Sequence, residues 1–510
     1  MRLRSLSNPG MAQVDGVFPR RHMNDRSVYH SDASNDDAST LKGEGRPDTI
    51  QESLRIPGTA KSNRSRHGPK LVTWDGPEDP ENPKNWSTKK KWAATNTVSL
   101  FTFISPVSSS MVAPALTSLA ADSNVKDEVV SQLMLSIFIL AYAVVFKIGC
   151  AVSNNKVQMI VCRFFAGLGG SAPLAIGGGV LSDCFRAEEG GKGIAIYNLA
   201  PLLGPVLGPI AGGFIAENTT WRWVFYSTSI VDGLIQVMGL FFLRESYGPK
   251  ILIDRAVRIR KETGDESYQT EAERQKKALP QVLRGSLVRP FKLLLTQPIV
   301  QVLALFMAYI YGIMYLVIST FPSLWTSPEY YNESIGIGGL SYISLGLGFW
   351  LGSQICAPLN DRIYRRLKAR NNGVGKPEFR FPLLFVGAFF IPCGLFIYGW
   401  TAQKHCHWIA PNIGAVLFGT GTIVAFQCIQ NYIVDTYTRF AASAFAAGAF
   451  LRSLAGFGFP LFAPYMYNAL HYGWGNSLLG FLAILIVAPA PVFLWKFGEM
   501  LRKKSTYAAG

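Results

Sequence analysis

The chain has 510 residues, 49% of them hydrophobic and only 16% charged, a balance low in charge for a water-solvated protein and normal where the solvent is lipid. Its formal charge of +16 sits in tails and between apolar stretches, which reads as membrane orientation and contact with anionic lipid rather than nucleic-acid binding. No nucleophile with its base, phosphate-cradling loop or metal set stands out, so an enzyme is not expected and no cofactor is implied.

In chain order, residues 1–73 are rich in Ser, Asn, Asp and Arg and bury too little to fold alone, so they read as a disordered cytoplasmic tail. No cleavable leader is expected, because the first apolar run begins only near Trp92. Residues 74–91 are a juxtamembrane segment whose prolines and glycine enforce turns and whose Trp74 and Trp86 suit the membrane interface. Apolar runs then begin near Trp92, Val130, Val157, Gly193 and Trp223 in an N-terminal half, residues 92–243. A cytoplasmic central loop, residues 244–298, separates these from runs beginning near Ile299, Ile335, Phe381, Trp408, Phe440 and Trp474 in residues 299–497. A cytoplasmic tail of residues 498–510 closes the chain. Each run has about the 20 residues a helix needs to cross a bilayer. The pattern predicts an all-α polytopic membrane protein with eleven apolar segments, functioning as a monomer.

Lys and Arg gather on cytoplasmic loops, and here they gather at Lys89-Lys90-Lys91, in residues 244–292 and 362–380, and at Arg502-Lys503-Lys504. All four should be inside. Six runs separate the central loop from the C-terminal tail, which agrees, but five separate the leading tail from the central loop, which cannot. Walking inward from both ends leaves residues 129–153 beginning and ending outside. That stretch holds Lys147, and a lone Lys near mid-bilayer costs about 2.5 to 3.5 kcal/mol on insertion scales. A join near Val144-Val145, between the front of one span and the back of the next, explains both observations better than a Lys reaching to the interface. The same count puts Asn218-Thr219-Thr220 and Asn332-Glu333-Ser334 outside, making Asn218 and Asn332 glycosylation candidates.

Two charged groups lie inside spans. Arg163 and Asp232 are proton-coupling candidates, each with structural pairing to a neighbouring helix as the competing reading. Gln236 is one turn from Asp232 and is expected on the same face. Phe103, Tyr309, Tyr315, Gln427, Gln430 and Asn431 could line a mid-membrane chamber with π-faces and hydrogen-bonding groups suited to bulky amphipathic or aromatic compounds. Cys150, Cys162, Cys184, Cys356, Cys393 and Cys428 lie in or beside apolar runs as small hydrophobes, and His405-Cys406-His407 reads as a polar turn rather than a metal site.

Several motifs carry a family resemblance over nearly all of the chain after the tail. The string from Trp74 to Trp86, W-D-G-P-E-D-P-E-N-P-K-N-W, resembles the juxtamembrane signature of fungal major facilitator drug:proton antiporters, in their polyamine, multidrug and toxin efflux branch. Gly204 to Gly213 matches G-x-x-x-G-P-x-x-G-G, the family's antiporter motif, through Gly204, Gly208, Pro209, Gly212 and Gly213. Small residues at i, i+4 and i+8 also give a smooth face for close helix approach, whatever the family. Arg163-Phe164-Phe165-Ala166-Gly167 resembles the fourth-span motif whose arginine is tied to proton coupling. Asp361, Arg362, Arg365 and Arg366 resemble the D-R-x-x-R-R gating loop, whose counterpart should follow the second span and is absent, at the site of the expected join. At Gly190 the family shows an arginine. The resemblance implies a fold of two six-helix halves and proton-coupled export of a drug, toxin or secondary metabolite across a fungal plasma membrane, with polyamines the alternative cargo. A non-transporting sensor or scaffold and an inactive mis-spliced product are the alternatives for function.

Overall fold

Almost every described residue is helical. The computed structural model describes residues 70–115, 119, 144–186, 191–274, 279–437 and 440–505. The first long helix, α1 (Thr88–Ser110), is studded with hydroxyls, many of which satisfy themselves on the preceding turn: Thr95 on Lys91 O at 2.9 Å, Thr102 on Val98 O at 2.9 Å and Ser110 on Pro106 O at 2.8 Å. Small side chains that need no outside partner let α1 be packed on several sides, and later helices of its half pack against it.

The expected join begins in residues outside those described, and α2 (Val144–Ala151) starts at Val144. α3 (Lys156–Cys184) opens on Asn155, whose side chain accepts from Gln158 N at 2.8 Å while Gln158 accepts in return from Asn154 N at 3.1 Å. That reciprocal cap satisfies donors the helix start leaves open. α4 (Gly191–Asn218) holds Pro201, Pro205 and Pro209. α5 (Arg222–Phe242) buries Phe225, Thr228, Asp232, Ile235 and Gly239 on one face and exposes Ile230, Val231, Leu234, Val237 and Leu240 on the other. An exposed apolar face of that extent is what a lipid-facing helix presents.

Between the halves, α6 (Gly248–Thr263) ends on Gly264 in the left-handed conformation, φ 67°, which closes the helix. The chain then returns along a short parallel pairing of Lys70–Leu71 with Tyr268–Gln269. α7 (Glu271–Arg274) and α8 (Leu279–Thr296) lead into the second half. There α9 (Pro298–Thr326) is buried nearly all round, and α10 (Ile335–Leu340) with α11 (Tyr342–Arg370) forms one crossing. α12 (Leu384–Gln403), α13 (Ile409–Thr436), α14 (Ala441–Ile486) and α15 (Ala490–Lys503) follow.

Among the described residues, Arg222–Phe242, Pro298–Thr326, Ile335–Arg370, Leu384–Gln403, Ile409–Thr436 and Ala441–Lys503 are long and apolar enough to cross a membrane. The last breaks at His471, φ 56° and ψ −179°, and its 63 residues span about 95 Å of helix, enough to cross twice. The second half thus has six crossings. α1 is also long enough but is diluted with Ser and Thr, and α3 and α4, at 29 and 28 residues, are long enough to cross as well.

Candidate functional site

Four helices of the first half converge on a buried charged group. Lys147 on α2 donates to Asp232 Oδ2 on α5 at 2.7 Å and to Ser108 Oγ on α1 at 3.0 Å, and Lys147 and Asp232 are each about 2% exposed. Arg163 on α3 is buried beside them, its guanidinium 5.6 Å from the centre of the Phe225 ring, and Cys150 and Thr228 help enclose the pocket. An isolated ion in such a place costs several kcal/mol, and a counter-ion in good geometry offsets that cost. Lys147 was expected not to belong in a span; it is instead half of a buried ion pair, and its partner is what makes the position tolerable. Gln236 does not join Asp232. The buried stripe of α5 runs through Asp232, Ile235 and Gly239, and Gln236 is rotated out to the exposed face.

The glycines of α4 serve close approach to two helices from opposite halves. A methyl added at Gly204 would lie 2.5 Å from Pro106, one at Gly208 would lie 2.8 Å from Val107 O, and one at Gly212 would overlap the Met111 carbonyl, all on α1 or its end. At Gly213 it would lie 2.9 Å from Ile335 O on α10, and Gly339 would reciprocate at 3.0 Å from Pro209 O. Beside this contact Glu217 accepts from Gly336 N at 2.6 Å and from Ser334 Oγ at 3.2 Å, tying the end of α4 to the start of α10. Both sequon asparagines, Asn218 and Asn332, are exposed next to this tie.

The candidate chamber residues divide. Tyr309 is buried and pinned, its hydroxyl donating to Leu479 O at 2.8 Å, so it packs the second half rather than lining a chamber. Phe103 is half-buried against the core of the first half. Gln427 donates to Ser353 Oγ at 3.0 Å, and with Gln430 and Asn431 it lies half-buried along α13. Tyr315 sits where the halves meet, close to Ser109 of α1, and its hydroxyl lies 3.4 Å from the Tyr311 hydroxyl. The Tyr311 ring meets Phe426 edge-on at 5.9 Å and carries the Arg452 guanidinium of α14 at 5.1 Å. Gly456, one turn past Arg452, gives these rings room, since a methyl there would lie 2.9 Å from Tyr311. Arg452 was not singled out from sequence; a mid-span cation was the signal that could have found it.

The expected gating loop is helical. Asp361, Arg362, Arg365 and Arg366 continue α11 as an exposed turn and a half, because nothing after Asn360 interrupts the helix until Asn371. Arg380, missed in the sequence, gathers the charges: it donates to Asp361 at 2.8 Å and to Asp435 at 2.8 Å, and lies 4.4 Å over the Tyr364 ring. Its burial disfavours the charge, but the bonds to Asp435 and Asp361 outweigh that and hold the proton more firmly than usual. Glu188 and Gly190 lie outside the described residues.

The juxtamembrane string folds into a clasp on α6. Asp79 accepts from Asp75 N at 2.9 Å and from Glu81 N at 2.8 Å, and Asn85 donates to the carbonyls of Pro77 and Asp79. Arg255 of α6 bonds Asp79 at 2.7 Å and pairs with Asp75, while Arg258 bonds Glu81 at 2.7 Å. Burial pushes the Asp79 carboxyl up, but the two backbone donors and Arg255 together hold it below the usual range.

Comparison with known proteins fits this architecture. The sequence profile of the Major Facilitator Superfamily matches residues 94–460. The chain is 52% identical to the efflux pump vrtL of Penicillium aethiopicum, over 87% of this chain and 92% of that one. It is 41% identical to the uncharacterized transporter C1529.01 of Schizosaccharomyces pombe, over 86% and 95%. In solved structures it resembles the xylose transporter XylE from E. coli in a partially occluded inward-open conformation, with a TM-score of 0.57 and 17% identity over 80% of this chain and 98% of that one, a likeness of fold alone. With its profile match, its similarity to fungal transporters and its two-half helical architecture, the chain belongs to the Major Facilitator Superfamily.

Proposed function

We propose that this fold encodes a proton-coupled exporter of a small organic compound, a drug, toxin or secondary metabolite, across a fungal plasma membrane. The observation that carries the reading is the Lys147–Asp232 pair, buried between helices of one half. A buried carboxylate needs either a cation or a proton. Lys147 and a proton therefore compete for Asp232, and any rearrangement that parts α2 from α5 exchanges one for the other. Arg163 adds a second positive charge to the same enclosed pocket. The glycine face of α4, against α1 on one side and α10 on the other, supplies a contact thin enough to seal and smooth enough to rock. Relatives that are named efflux pumps support the outward direction.

The test is export from intact cells, or uptake into inside-out vesicles, under an imposed pH gradient. Export that ignores the gradient would overturn the coupling, and a protein that binds but never moves a compound would favour the sensor or scaffold reading.

A second reading concerns this particular polypeptide, and the alignments favour it. The match to the P. aethiopicum pump runs over 468 positions yet takes in 87% of 510 residues, about 444, so about 24 positions lack a counterpart here, close to the two half-spans and loop that the parity of the spans requires. The S. pombe match runs over 467 positions and takes in 86%, about 439 residues, a shortfall of about 28. On this reading the chain is a shortened form that exports little until the segment is restored.

A further inference from the structure

The second half holds a cation of its own, and it faces the other half. Arg452 lies eleven residues into α14, about 16 Å along the helix and so near mid-membrane. Its Nε is buried with no hydrogen-bond partner, and among the described residues no carboxylate pairs with it. What surrounds it is aromatic: the Tyr311 ring beneath the guanidinium, Tyr315 against Tyr311 at 4.8 Å between ring centres, and Phe426 edge-on to Tyr311. Ser109, from α1 of the other half, lies close to Tyr315 and completes the group. Arg163, the comparable arginine of the first half, is enclosed beside an ion pair, whereas Arg452 is only half-buried.

An intramembrane cation that has no protein anion is costly to keep and marks a ligand pathway. Guanidinium groups match carboxylates and similar oxyanions through forked hydrogen bonds, and tyrosine and phenylalanine faces match flat apolar ligands. We propose that Arg452, with Tyr311, Tyr315 and Phe426, forms the substrate site, and that the exported compound is an aromatic anion. This rests on reading the chain as an exporter whose compartment lies between the halves, and it supplies the substrate class. A polyamine is excluded on this assignment, because it would bring positive charge against an uncompensated guanidinium in a region of low dielectric.

The test is ligand binding to the purified chain in detergent, with three probes of one shape: naphthoate, neutral naphthamide and cationic naphthylmethylammonium. Naphthoate should bind at least about tenfold more tightly than naphthamide, and the cation most weakly. Arg452→Gln should bring the acid-to-amide ratio to about one while leaving naphthamide affinity within about twofold, and Arg452→Lys should keep most of the preference. Retained naphthamide binding shows that the variant is folded; should Arg452→Gln not fold, the order of the three probes on the unaltered chain decides. Equal binding of acid and amide, tightest binding of the cation, or an unchanged ratio in Arg452→Gln would overturn the assignment. Acid preference without pH-dependent export even by the chain with its missing segment restored would sink the exporter reading and leave this site standing, whereas pH-dependent export without acid preference would sink the site alone.

Discussion

Lys147 and Asp232 are 85 residues apart in the chain and 2.7 Å apart in the fold. Each is the reason the other can be buried. Their separation in sequence spans two long helices, α3 and α4, so the pair ties α2 to α5 and makes α2 part of the bundle rather than a remnant beside it.

Breaking the pair from one side should therefore be worse than removing it. Asp232→Asn leaves an ammonium without its carboxylate and should cost about 3 to 5 kcal/mol, while Lys147→Met combined with Asp232→Asn should recover most of that. Detergent-solubilised protein followed by heat-induced loss of the monodisperse peak would show the order. Asp232→Asn should still reach the membrane, in lower amount, and should lose the pH dependence of export; retention of that dependence would make Asp232 structural and put the proton carrier elsewhere.

The glycines of α5 and α4 separate crowding from helix propensity. Gly233→Ala meets nothing within 4 Å and should be neutral or stabilising by up to about 1 kcal/mol, since alanine is the better helix former. Gly212→Ala overlaps the backbone of Met111, which cannot swing aside, and should abolish export even where the protein is made. If Gly212→Ala exports normally, α1 and α4 do not stay in contact through the cycle.

The clasp on α6 has a pH signature with a fixed sign. Asp79 is held below its ordinary value of 3.8, so its contribution is complete above that pH and is lost as pH falls through the depressed value. Acidification across the physiological range should leave the clasp shut, and only pH below about 3.8 should open it. Arg255→Gln should open it at neutral pH, seen as faster hydrogen exchange over residues 74–86. Unchanged exchange there would mean that the turns hold the segment without α6.

What the sequence disclosed follows from the kind of signal each feature leaves. Spans and their direction are written in long apolar runs and in where Lys and Arg collect, and the α4 glycines are written as a spacing. Partners across the bundle leave no such trace. Asp232 was visible as a carboxylate in a span, but its neighbour in the fold is Lys147, not the residue one turn on, because the face of α5 that is buried cannot be read from a helix apolar on nearly every side. Lys147 looked like a fault for the same reason. Arg380 stood in a run of loop charges, and only the fold shows it gathering Asp361 and Asp435. Tyr309 and Tyr315, six residues apart on α9, looked equivalent, yet the first is pinned to Leu479 and the second reaches the other half.

Orientation can be checked directly. Asn332 should face outside and Lys368 the cytoplasm, since Asn332 lies beside the α4–α10 tie and Lys368 on the basic end of α11. Cysteine placed at each, probed on intact cells with an impermeant thiol reagent, should label at Asn332 and not at Lys368. Labelling at Lys368 would invert the assignment. A mobility shift removed by Asn332→Gln or Asn218→Gln would support the same orientation through glycosylation.

The chain's length sets the last expectation. The charge pattern asks for an even number of crossings before the central loop and the sequence supplies five runs, while the alignments to two relatives leave about 24 and about 28 positions unmatched. The gating turn at Asp361 also lacks its counterpart in the first half. With an odd number of crossings, one half would insert upside down relative to the other or α2 would have to leave the bilayer, and the latter would part Lys147 from Asp232. Either outcome removes the symmetry on which alternating access depends. The 510-residue chain should therefore reach the membrane in low amount and export poorly, and a version with a complete second span, loop and third-span start inserted between Val144 and Val145 should gain surface level and pH-dependent export together. Because Lys147 follows the insertion point, both forms carry Lys147 and Asp232 and differ only in the inserted segment. Equal export by the two would show that five crossings before the central loop suffice.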